Sequence, residues 1–408
     1  MTHVVDQIPG SGDTAADVSP RSWASRLVRE GERFARDRPR TARAAGWVGE
    51  RPWTLWPVAF VVFGILGASS TSSDAVLFLD AGRSMVGPGF LDVFAEPALQ
   101  MGPLDLLLAG VVARAADLVG VSAAFLVAAV QAVVVLALAQ DVAARAAARS
   151  GTVPRVAEWV VTAVLLGSGL MAEASLMGHL EELALGLLLA LAALQAADGR
   201  RWSVGLVLGL AIGTKLWAVL GIPLVLLGRR WPTAVSRAAL GAAIGLGLYA
   251  PFFLWGTVRT FDYTWTVSDT STVALVAGSL ATSGWALRAA QGAIVVLVGA
   301  TLALRARVDP LAVVAAIVAA RLLLDPLRLP YYAGPLLVVL VLWTWTGTAP
   351  EARRWRLPVL LVCPLVVLAP YGLPATFQAV LGTVGLIGVL AVVLHAGLAG
   401  TKREVVLP

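Results

Sequence analysis

The sequence predicts an all-α fold: a polytopic membrane helix bundle of about 11–13 transmembrane helices, with amphipathic helices in its first outer loop. Three observations carry this. Of the 408 residues, 58% are hydrophobic and only 14% are charged, whereas about a quarter of a soluble domain is charged. Mean hydropathy is +0.82. Leu, Val and Ala runs recur from Leu55 to Leu398. They are too long and continuous for barrel strands, so the spans are helices, which satisfy their own backbone in lipid.

The formal charge of +6 comes from arginine-rich connections. These suit an anionic membrane leaflet better than nucleic acid. The single cysteine, Cys363, lies inside an apolar run and excludes an internal disulfide or a Cys-based metal site. His3, His179 and His395 are too dispersed for a histidine cluster, so no metal is indicated. The first fifty residues do not read as a cleavable signal. Three segments are expected: a cytoplasmic tail with a basic interfacial helix (1–52), a polytopic domain (53–398) and a cytoplasmic tail (399–408). In the first segment, residues 1–20 read as disordered. Residues 21–38 place Trp23, Leu27 and Phe34 on one helical side among arginines, as a solvated helix or one lying on the inner leaflet.

Arginine chooses the path. Nine arginines between Arg21 and Arg51 put the N-terminus inside. Arg145, Arg149, Arg155, Arg200, Arg201, Arg229, Arg230, Arg305, Arg307, Arg353, Arg354, Arg356, Lys402 and Arg403 follow it there. Spans are then expected near 54–70, 121–142, 156–173, 180–198, 237–256, 286–304, 309–324, 331–347, 356–372 and 375–397. The run 203–228 must enter and return, as two short helices broken near Gly213-Thr214-Lys215. The run 103–119, with Asp105, Arg114 and Asp117, reads as re-entrant or buried in the bundle, with Arg114 and Asp117 paired. No repeat relates the two halves, which weighs against a secondary transporter.

This path gathers unusual polar residues on the outer face. Asp74 and Asp80 follow the first span, each a solvated loop acid or a general base or metal ligand. Asp92 and Glu96 read as surface charges. Glu181 and Glu182 start a helix, where its dipole favours acids; His179 before them is less readily explained. Lys215 is a cation at membrane depth and reads as an anion binder. Arg321 follows the same argument, or pairs with Asp325 one turn on. Arg328, Tyr331 and Tyr332 form a binding loop or an interfacial belt. Acids and cations on an outer surface, where nucleotide sugars are absent, suit transfer from an activated, lipid-linked donor.

Three segments resemble the GT-C superfamily of integral-membrane glycosyltransferases, in particular the actinobacterial branch using polyprenyl-phosphate mannose. They are "SDAVLFLDAGRSMVGPGF" with "QMGPLDLLLAG"; "GHLEELALGLLLALAALQAADGRRWSVGLVLGLAIGTKLWAVLGIPLVLLGRRW"; and "RLLLDPLRLPYYAGPLL". Two positions depart from the pattern: His179 stands where Gln or Asn is usual, and Met101-Gly102-Pro103 where Tyr-Pro-Pro is usual. The resemblance implies an inverting transfer of a sugar, mannose first, to a glycolipid or polysaccharide acceptor on the outer face of the cell membrane. It implies Asp74 as base, with Asp80 behind it, and Lys215 and Arg328 on the donor phosphate. His179, Glu182, Arg321, Tyr331 and Tyr332 complete the expected substrate site, with membrane lipids as partners and no cofactor. The alternatives are a flippase or transporter for a lipid-linked or polyol substrate, and a non-catalytic envelope-assembly protein.

Overall fold

The computed structural model describes residues 30, 32–228, 230–264, 266–278, 284–305, 308–347 and 349–399. The expected disorder of 1–20, most of the basic helix 21–38 and nearly all of the C-terminal tail lie outside them. All regular structure among the described residues is helical.

The chain divides into two units, Met1–Arg51 and Pro52–Pro408. In the first, α1 (Pro39–Gly49) opens on a proline whose missing N–H costs nothing in the first turn. It buries no residue.

The second unit begins with a 3₁₀ turn (Pro52–Leu55) and α2 (Trp56–Ala68). Next come α3 (Ser73–Met85), a 3₁₀ turn (Phe90–Ala95), α4 (Pro103–Val119) and α5 (Ala123–Ser150). After these follow α6 (Pro154–Gly167), α7 (Leu170–Met177), α8 (Leu180–Ala197), α9 (Trp202–Thr214) and a 3₁₀ segment (Leu216–Leu226). The rest comprises α10 (Trp231–Trp255), α11 (Thr272–Ala277), α12 (Trp285–Ala303), α13 (Pro310–Leu324), α14 (Gly334–Thr346), α15 (Pro350–Arg354), α16 (Arg356–Gly372) and α17 (Ala375–Ala399).

Five of these, α5, α8, α10, α12 and α17, are long and apolar enough to cross a membrane. Taken together, α6 and α7 pass the same test but are bent by 51°. The expected single span 156–173 is thus broken: α6 stops at Gly167, and Gly169, at φ +86°, turns the chain into α7. The expected span 54–70 is a helix of only 13 residues, about 20 Å long. The span 121–142 runs on to Ser150 and ends at the left-handed Gly151. The run 103–119 is one unbroken helix. The run 203–228 breaks where the glycine-threonine-lysine triplet pointed. Lys215 is extended (φ −160°, ψ 133°) between α9 and the 3₁₀ segment.

The centre of the bundle is α8, α13 and α14. Every residue from Pro310 to Leu322 is buried, as is nearly all of α14. Around the outside, α10, α12 and α17 expose Leu246, Leu254, Leu297 and Val384, a far more apolar surface than a soluble domain keeps. Glycines four apart let α9 meet α10 closely: a Cβ at Gly205 or Gly209 would lie 2.7 or 2.6 Å from Leu240 or Ile244. Arg237 of α10, 2% exposed, ties the connections beside this contact. Its guanidinium donates to the carbonyls of Ala196, Arg200, Val225 and Leu227.

The first loop carries the expected amphipathic helix. In α3, Phe78, Ala81, Gly82 and Met85 form the buried side, the i, i+3, i+4, i+7 pattern of one helical face. Arg114 does not pair with Asp117 as its spacing suggested. Arg83 of α3 reaches Asp117 instead, at 3.1 Å.

Candidate functional site

The site forms where the start of α3 meets the start of α8. Ser72 caps α3, its Oγ accepting the Asp74 N–H, and Asp74 lies in the first turn, where the helix dipole favours an acid. Two serine hydroxyls fasten this end to the last turn of α7: Ser70 donates to the Leu176 carbonyl and Ser72 to that of Met177. Gly178 then takes φ +78° and brings the chain against Ala75.

His179, 3% exposed, follows this turn. Its ring stacks on Tyr331 at 4.0 Å and 12°, and meets the edge of Phe78 at 5.0 Å. Nε2 lies 3.1 Å from Asp74 Oδ2, and Nδ1 lies 2.8 Å from Glu181 Oε1. A neutral imidazole would set a lone pair against one of two carboxylates; an imidazolium donates to both. Asp74 is about half exposed, its side chain at 47%. The hydrogen bond from His179 holds its carboxyl below the usual carboxylate range, against burial, which acts the other way.

Behind Asp74 the charges continue inward in alternation. Lys215 Nζ donates to Glu181 Oε1 at 2.8 Å and lies 2.7 Å from Glu182 Oε1. Glu182 also accepts from the Trp217 indole at 3.2 Å. Arg321 stands 3.9 Å from Glu182 and 3.8 Å from Asp325, stacked between Trp217 (4.1 Å) and Tyr332 (5.1 Å). Arg288 closes the row on Asp325 at 2.7 Å. Burying such ions is expensive unless each is paired, and here cation and anion alternate.

Of the residues expected in a site, Asp74, His179, Glu182, Lys215, Arg321, Tyr331 and Tyr332 are brought together. Asp80 is not: it is exposed, and six residues turn it about 240° round the helix from Asp74. Arg328 turns onto α17, donating to the Ala379 carbonyl and to Thr272; its Nε is buried without a partner. Lys215 is held between two glutamates rather than presented free to an anion. Asp325 pairs with Arg321 as its spacing suggested, but more closely with Arg288. Asp92 and Glu96 are exposed, as expected of surface charges.

The expected site left out five contributors: Glu181, Trp217, Arg288, Asp325 and Asp105. Trp217 follows Lys215 by two residues, a signal that was present. Asp105 comes one turn after Gly102, whose N–H donates to the Thr214 carbonyl at 2.8 Å. A Cβ at Gly102 would meet the Gly213 carbonyl at 2.2 Å, so the Met-Gly-Pro sequence seals the apex that carries Lys215. Both Asp105 oxygens accept from the Gln131 amide at 3.3 Å. Among the described residues no group of three or more His, Cys, Asp or Glu is arranged to hold a metal ion.

No family model, curated protein or solved structure matches the chain.

Proposed function

We propose that this protein is a membrane glycosyltransferase. In this reading it moves a sugar, mannose first, from a polyprenyl-phosphate donor to a glycolipid or polysaccharide acceptor on the outer membrane face. The observation that carries the reading is the placement of Asp74: a half-exposed carboxylate, oriented by a buried imidazole, at the mouth of a row of charges. Such a group takes the proton of an acceptor hydroxyl. The acceptor oxygen then bonds to the anomeric carbon with inversion, while the bond from that carbon to phosphate oxygen breaks. The polyprenyl phosphate leaves with the electron pair. The resemblance assigns the donor phosphate to Arg328, which is turned onto α17 here and would have to swing back toward Asp74 to take that part. Apolar helices long enough to span support the membrane setting, and the arginine-rich connections support cytoplasmic termini.

A second reading has an observation of its own. Alternating charges running from Asp74 to Asp325 are also what an ion-coupled transporter requires. One experiment separates the two. Membranes holding wild type or Asp74→Asn are given radiolabelled polyprenyl-phosphate mannose and a lipid extract. Transfer by wild type and none by the variant is expected. No transfer by either, across several lipid-linked sugars, would overturn the enzyme and leave the transporter.

A further inference from the structure

Asp105 stands apart from the other carboxylates of the cluster. It is 7% exposed, yet among the described residues it makes no ion pair, and its hydrogen-bond donor is the neutral amide of Gln131. The charged groups close enough to act on it are Glu181, Lys215 and His179. Both cations are already engaged: Lys215 by two glutamates, His179 by Asp74 and Glu181. From the packed helices, Tyr249 of α10 is neutral and donates to the Ile212 carbonyl, and Arg83 of α3 is paired with Asp117. The ion pairs of the row join four carboxylates (Asp74, Glu181, Glu182, Asp325) to four cations (His179, Lys215, Arg321, Arg288), and Asp105 is in none of them. Arg328, beyond Asp325, is turned onto α17. Two carboxylate oxygens of the row, Glu181 Oε2 and Asp325 Oδ2, are buried without a hydrogen-bond partner. An isolated carboxylate at this depth neutralises rather than stays charged.

We infer that Asp105 is a proton-binding site: a neutral carboxylic acid in the resting protein, buried against the Gln131 amide with no ion-pair partner among the described residues. Loss of that proton would add an unpaired buried anion to the field acting on Glu181, Lys215 and His179. The inference does not depend on glycosyl transfer.

Infrared spectroscopy of the full chain in proteoliposomes tests it without an assay of activity. At neutral pH a carbonyl stretch of a protonated carboxyl is expected, shifted in heavy water and lost in Asp105→Asn. Gln131→Leu, which removes the amide donor on this carboxyl, should keep that component at a moved frequency. This second variant decides the matter if Asp105→Asn fails to fold. Absence of the band, its persistence in Asp105→Asn, or an unmoved frequency in Gln131→Leu would overturn the site. Disappearance of the band when sodium replaces choline would show sodium as the bound cation and overturn the proton.

Discussion

Gly178 and Ala75 are in direct backbone contact: a Cβ added to Gly178 would lie 2.7 Å from the Ala75 Cα. This contact sets the first loop helix against the start of α8 and makes the Asp74–His179 hydrogen bond geometrically available. Gly178 also needs φ +78°, so two separate demands converge on one position.

Gly178→Ala should therefore cost stability through the left-handed backbone alone by about 1–2 kcal/mol, and more through the clash. Thermal unfolding in detergent reads the loss, and the Asp74-dependent transfer should fall with it. A variant as stable as wild type would show that α3 is free to move away.

Lys215→Met removes the cation between two buried glutamates. Breaking a buried pair from one side costs about 3–5 kcal/mol. Adding Glu182→Gln should recover part of this, because one uncompensated charge is then gone. A loss no larger than that of an exposed ion pair, below about 1 kcal/mol, would mean that water reaches Lys215.

Asp74 titrates below its ordinary value of 3.8 because His179 donates to it. The native state thus binds this proton more weakly than the unfolded chain. Ionised Asp74 stabilises the fold above the unfolded value, and that contribution is lost as pH falls through the lower native value. In a pH–rate profile the acid limb of transfer should lie below the usual carboxylate range. His179→Gln should move that limb upward; an unmoved limb would mean that another group is the base.

The assignment of sides is tested at Asp92, which is exposed in the first loop. The chain's own cysteine, Cys363, is buried. Asp92→Cys on intact cells should therefore react with a membrane-impermeant maleimide. Labelling that appears only after the cytoplasm is opened would invert the topology and remove the outer-face site.

The sequence carried the helical class, because apolar runs leave no other way to satisfy backbone in lipid. It also carried the break at Lys215, since a lysine after Gly-Thr cannot sit mid-helix in hydrocarbon without a reason. It did not carry the pairing of Asp74 with His179, which lie 105 residues apart. That contact depends on Ser70, Ser72 and Gly178, whose roles appear only when α3 and α7 meet. Lys215 and Arg321 were visible as cations, and so was the pairing of Arg321 with Asp325, but the neutralisation of Lys215 by Glu181 and Glu182 was not. Local spacing also misled once: Arg114 and Asp117 are correctly spaced to pair, yet Arg83 from another helix takes Asp117.

The buried row also bears on how the chain is assembled. An arginine entering a bilayer on an isolated helix costs about 2.5–3.5 kcal/mol by insertion measurements, and α13, at 15 residues, is short compensation for Arg321. Its partner Glu182 is synthesised long before it. Lys215 follows Glu181 by only 34 residues, so the glutamates acquire a counter-ion almost as soon as they leave the ribosome. Arg321 is added to the chain after both, so Lys215 precedes it as the counter-ion available to the glutamates.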